Sequence, residues 1–210
     1  MKNNQDITMV VARYNENLDW LKEVSWNYTV FNKGSQDLPQ WIKNQYILPN
    51  NGREPHTYLT YIVSFYVNLP EYTAFVQGHP FDHSENIISK IKNFEGDTHF
   101  FDLADQTLRG RRHGITHFEQ KTMIEAKKIF INDVTDLKYG QGAQFIVKRD
   151  AIQSHPKIFY QKILELILEG EAVTEVCPKY DCSCANYYSP WMMERLWRSI
   201  FAKRLRTIYD

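Results

Sequence analysis

The sequence predicts a single α/β domain over residues 1–210, with a central sheet flanked by helices. Three observations carry that reading. Short β-branched and aromatic runs at residues 7–12, 28–31 and 73–76 each stop in a polar or glycine-containing turn, the pattern of buried strands. Stretches with helical spacing alternate with them, as in Tyr58, Leu59, Ile62, Val63 and Phe65. The 210 residues are 43% hydrophobic, enough for one sizeable core and cramped for two.

Taken in order, the first run ends in Arg13-Tyr14-Asn15-Glu16-Asn17, and a helical pattern begins at Leu18. A strand, a turn and a helix in that order present backbone N–H groups and a helix N-terminus to a ligand, which favours phosphate or a polar nucleoside. The simpler role for Asn15 or Asn17 is to cap the helix. No glycine-rich fingerprint is present, which disfavours a dinucleotide or P-loop site. The second strand runs into Asn32-Lys33-Gly34-Ser35, where Lys33 would lie beside the end of the first. Residues 48–52 form a turn, and Pro55 fits the first turn of the next helix. Arg53, Glu54, His56 and Thr57 crowd that helix start, where an anion is favoured and Arg53 can fork onto a diphosphate. The alternative is an Arg53–Glu54 clasp.

The remaining elements are a helix capped by Ser84 and reaching Asn93, a short strand at residues 99–102, and a glycine-rich entry at residues 140–149 into another strand. A helix over residues 157–168 follows, and a last helix opens at Tyr187-Tyr188-Ser189-Pro190-Trp191. Arg109-Gly110-Arg111-Arg112-His113-Gly114 is the only dense basic segment, read either as a loop closing over a ligand or as a solvated loop.

Composition narrows the function classes. Lys plus Arg equals Asp plus Glu at 25 each, so no global field favours nucleic acid or an anionic membrane. No run approaches the roughly 18–20 apolar residues of a membrane span, and the N-terminus has no apolar leader segment, so a cytoplasmic location is expected. Cys177, Cys182 and Cys184 fall together, an odd clustered set that reads as reduced thiols in an irregular loop rather than a zinc site.

The chemistry is expected where Glu71-Tyr72-Thr73-Ala74-Phe75-Val76 gives way to Gln77-Gly78-His79-Pro80-Phe81-Asp82-His83. Ligands of open α/β sheets collect beyond the carboxyl ends of the strands, and this segment delivers an amide, two imidazoles and a carboxylate there. A metal held by His79 with Asp82 would be Mn²⁺ rather than Mg²⁺, because imidazole suits manganese better. The alternative is that the histidines only cap a strand and a helix.

The acidic-aromatic-apolar strand, the Gln77-Gly78-His79 that takes the place of Asp-x-Asp, and Asn51-Gly52-Arg53-Glu54-Pro55-His56-Thr57-Tyr58-Leu59 together resemble GT-A-like glycosyltransferases of fungi, bacteria and large viruses. The resemblance runs through nearly the whole chain and is stronger toward the small N-terminal glycosyltransferase domain encoded by large viruses of chlorella-like algae, which implies a part in building capsid glycans. It implies a GT-A-like mixed central sheet and transfer of a hexose, glucose or a deoxysugar such as rhamnose, from a UDP-sugar to a glycan hydroxyl. It further implies that Val11, Ala12, Arg13, Tyr14 and Asn15 line the uridine pocket, with Lys33, Arg53, Gln77 and Gly78 also at the donor. His56, Gln144 and Trp191 fall to the sugars, the metal goes to His79 and Asp82, and Glu194 is the base that takes the acceptor proton. The sequence departs from the family in lacking both carboxylates of Asp-x-Asp, and in having Arg195 after Glu194, which also permits a plain ion pair. The competing classes are a metal-dependent phosphoesterase using His79, Asp82, His83 and His113, and a non-catalytic carbohydrate-binding module.

Overall fold

The computed structural model describes residues 6–109, 138–170 and 190–203, the side chains of residues 109, 169–170, 190–191 and 203 excepted. Six strands form the central sheet: β1 (Ile7–Arg13), β2 (Asn27–Asn32), β3 (Gln45–Ile47), β4 (Tyr72–Gln77), β5 (Phe100–Asp102) and β8 (Phe145–Lys148), in the order β3-β2-β1-β4-β8-β5. β1 runs parallel to β2 and β4, with Ala12 opposite both Phe31 and Gln77, whereas β8 is antiparallel to β4 and β5. The sheet is therefore mixed, as expected. A second, two-stranded sheet pairs β6 (Thr107–Arg109) with β7 (Lys138–Gly140).

Strands covered on both faces read as continuous apolar runs. Residues 9–12 and 72–76 are buried without a break. Alternate side chains enter two core layers: Val10, Ala12 and Phe75 pack with α1 (Arg53–Phe65), α4 (Lys157–Gly170) and α5 (Pro190–Lys203). Met9, Val11 and Val76 point the other way, toward Leu21, Ile87 and Ile91. The α1 side is aromatic. Trp197 stacks on Phe201 at 5.7 Å and sits 5.5 Å from Phe145, which in turn lies 5.3 Å from Phe75.

Two expected elements differ. The helix after β1 is only a 3-10 turn, Asp19–Glu23. Asn17 accepts from the Asp19 N–H at 2.7 Å, while the chain leaves Val24 extended and enters β2 three residues later. Ser84 does not cap α2 (Ile87–Lys92), because its hydroxyl donates to the Leu103 carbonyl at 2.5 Å and joins the helix entry to the end of β5. The last helix is described from Pro190 onward, its expected opening at Tyr187 lying outside the described residues. One short α3 (Arg149–Gln153) had no sequence signal of its own.

The Tyr66 hydroxyl at the end of α1 donates to the His155 carbonyl at 2.6 Å, tying α1 to the turn between α3 and α4. Tyr66→Phe is expected to cost about 1 kcal/mol, the net worth of one such bond, read from the urea midpoint at unchanged slope.

Candidate functional site

In an open α/β sheet the crevice opens where the strand order reverses. Here β2 lies on one side of β1 and β4 on the other, so the reversal falls at the carboxyl ends of β1 and β4, at Arg13 and Gln77.

The turn after β4 is clamped from two sides. Trp20 Nε1 donates to the Gly78 carbonyl at 3.0 Å, and the Phe81 ring lies edge-on to Trp20 at 5.8 Å and to the His79 imidazole at 5.5 Å. That clamp leaves the two candidate ligands outward. His79 Nε2 and Asp82 Oδ1 are 3.4 Å apart, on side chains 54% and 70% exposed. Two donor atoms at that separation, both open to solvent, fit adjacent positions around one divalent ion. Among the described residues no group of three His, Cys, Asp or Glu side chains forms a ready-made metal centre.

On the inner side of the crevice, Gln77 Nε2 donates to Glu54 Oε1 at 3.1 Å, and Glu54 Oε2 lies 3.6 Å from Arg53 Nε. The Arg53–Glu54 clasp is thus present, and Arg53 itself stays 55% exposed at the start of α1, with φ of 43°. Glu194 arrives from α5. Its Oε1 accepts the Gly142 N–H at 2.7 Å, and its Oε2 lies 3.7 Å from Arg195 Nη1. Burial pushes the Glu194 carboxyl above its ordinary value, against the Gly142 N–H and Arg195, which pull it down, and Glu54 adds to the rise. His83 also acts on it, and a Cβ on Gly142 would meet His83 Cδ2 at 2.5 Å, so the imidazole lies against this glycine. Gly142 has φ of 86°, which glycine adopts without the Cβ penalty.

Several expected ligands are turned inward. Arg13 is 5% exposed, and its Nη1 donates to Asn32 Oδ1 at 2.8 Å and to the Gln36 carbonyl at 2.9 Å. Lys33 Nζ donates to the Asn51 and Arg53 carbonyls, the latter at 2.6 Å, and fastens the entry of α1 to the end of β2. His56 Nδ1 lies 3.0 Å from that same Asn51 carbonyl. Asn15 Oδ1 accepts the Gln36 N–H at 3.1 Å, and Val11 and Ala12 are buried in the two core layers. Gln144 is 1% exposed with both ends of its amide engaged: Oε1 accepts the Gln77 N–H at 3.2 Å, and Nε2 donates to the Pro80 carbonyl at 2.9 Å. Of the set, Tyr14 is half exposed beside the crevice.

Trp191 lies in α5, with its side chain outside the described residues, as are residues 110–114, His117, the three cysteines, Tyr187 and Tyr188. Glu16, which belongs to no motif in the sequence, accepts the Tyr14 N–H at its Oε2 at 2.6 Å and lies where a Cβ on Gly78 would meet it at 2.5 Å. Its signal was the position, one turn past the first strand.

The profile of a family described as a protein of unknown function, DUF3431, matches residues 9–97 and 104–208, and the chain belongs to that family. The curated proteins gave no match, and neither did the solved structures.

Proposed function

We propose that this member of the DUF3431 family is a metal-dependent glycosyltransferase of GT-A type, moving a hexose from a UDP-sugar to a glycan hydroxyl. The observation that carries the reading is the exposed His79–Asp82 couple just past the end of β4, with the buried Glu194 carboxylate brought near it through Gly142, which bonds Glu194 and lies against His83. A metal that bridges a diphosphate needs only one or two protein ligands, since phosphate oxygens and waters complete its shell. His79 and Asp82 suit that role, and imidazole favours Mn²⁺, with Mg²⁺ the alternative. When bound, the ion neutralises charge on the departing diphosphate.

The chain's own groups supply the rest. Arg53, exposed at the positive end of α1, faces the diphosphate, and Lys33 acts through the loop it ties rather than as a ligand. The acceptor oxygen bonds to the anomeric carbon as the bond from that carbon to the diphosphate oxygen breaks, the electron pair leaving with UDP. Glu194 takes the hydroxyl proton. Its raised proton affinity brings it closer to neutral pH, where a base is most effective.

Calorimetric titration of UDP, GDP and CMP, each with Mn²⁺ and with EDTA, tests the reading. UDP is expected to bind with Mn²⁺ and not with EDTA, and His79→Ala is expected to abolish that binding. No nucleotide binding in either condition would overturn the proposal. Glycan binding without nucleotide would then indicate a carbohydrate-binding module, and phosphate-ester turnover without an acceptor a hydrolase.

A further inference from the structure

We infer that Gln144 is a positioning residue that sets the metal-binding turn against the Glu194 carboxylate; this rests on the transferase reading of the site. The β4–β8 ladder ends at the pair Phe75–Phe145, leaving the Gln77 N–H without a backbone partner from β8. Gln144, one residue before β8, supplies that partner from its side chain at 3.2 Å. The other end of the same amide reaches across the turn to the Pro80 carbonyl at 2.9 Å. One buried side chain therefore holds both limbs of the turn that carries Gly78 and His79.

The same short segment governs the carboxylate. Gly142, two residues earlier, gives its N–H to Glu194 at 2.7 Å and packs against His83, which follows Asp82. Residues 142–144 thus touch the metal-binding turn at Gln77, Pro80 and His83 and touch Glu194 from the other side. Such a segment fixes the spacing between metal and base without contacting a substrate. The Gln144 amide is fully committed on two sides and 1% exposed, so its role is to orient the turn and not to bind a sugar hydroxyl. Groups that orient metal ligands from behind typically change metal affinity about 10–100-fold when removed.

The test measures Mn²⁺ affinity in the presence of UDP, by calorimetry well below the melting temperature, for four variants of the full chain. Gln144→Met keeps the side-chain length and loses both hydrogen bonds. Gln144→Leu is one atom shorter and likewise loses both hydrogen bonds. Ile163→Val, in α4 within the core and away from the strand ends, controls for loss of stability alone. His79→Ala reports on the site itself. The expected result is a loss of Mn²⁺ affinity of about tenfold or more in both Gln144→Met and Gln144→Leu, and none in Ile163→Val.

Parental affinity in both folded Gln144 variants, with binding abolished by His79→Ala, would overturn this inference and leave the transferase reading standing. Metal-dependent UDP binding that survives His79→Ala unchanged would instead overturn the site reading and this inference with it. If Gln144→Met fails to fold, Gln144→Leu decides alone: lowered affinity supports the inference and parental affinity overturns it.

Discussion

Gly34→Ala is expected to destabilise the protein by more than about 3 kcal/mol, beyond the usual range for adding a methyl group to a packed site. A Cβ at this position would lie 1.4 Å from the Tyr14 carbonyl oxygen and 2.4 Å from its carbon. Backbone cannot swing aside as the tip of a side chain can. The closeness comes from the joined strand ends, where the Lys33 N–H donates to the Arg13 carbonyl at 2.8 Å and the Arg13 guanidinium bonds Asn32 and the Gln36 carbonyl. Opening that contact by the ångström or more that the methyl needs would strain those bonds together. Thermal unfolding is the measurement, with a fall of about 6 °C or more expected for a chain of this size. A shift of only a degree or two would mean that the Tyr14–Gly34 approach is looser than described.

Glu194→Gln is expected to lower transfer by about 10²–10⁴-fold, the usual worth of a positioned acid or base, and to raise stability at neutral pH. The two effects share a cause. Burial pushes the Glu194 carboxyl up from its ordinary value, so the folded chain binds this proton more tightly than the unfolded chain does. Above the folded value the native state carries a poorly solvated charge, and that penalty disappears as the pH falls through the folded value and below the unfolded one. Glutamine retains an oxygen for the Gly142 N–H and carries no charge. The stability gain of Glu194→Gln should therefore be present at pH 7.5 and absent near pH 4, in unfolding curves measured at both. A gain of equal size at both values would sink the electrostatic explanation. Undiminished transfer by the variant would remove Glu194 from the reaction.

Local signals read well where neighbours in the chain decide the outcome. Residues 9–12 and 72–76 are apolar without interruption because helices cover both faces of the sheet, and both runs are strands. The spacing of Tyr58, Leu59 and Ile62 places all three on the buried side of α1. Signals failed where a distant group captured the local one. Ser84 has the chemistry of a helix cap, yet its hydroxyl is taken by the Leu103 carbonyl, 19 residues on. The β3 strand carries no apolar alternation because all three of its residues are exposed at the sheet edge. Lys33 and Arg13 have the charge of phosphate ligands, yet carbonyls from the loops around Gln36 and Asn51 absorb it.

By itself the sequence determined the α/β class, the strands whose ends meet at the crevice, and the nearness of His79 to Asp82, three residues apart in one turn. Each follows from residues close enough in the chain that backbone geometry alone relates them. Only the tertiary structure decided that Glu194 meets Gly142 across 52 residues, and that Gln144 closes on Gln77 across 67 and on Pro80 across 64. Side-chain chemistry states what a residue is able to bond. Which partner it meets at such separations is settled by the packing of α5 against β7 and the pairing of β8 with β4, and buried polar groups then bond whatever that packing brings within reach.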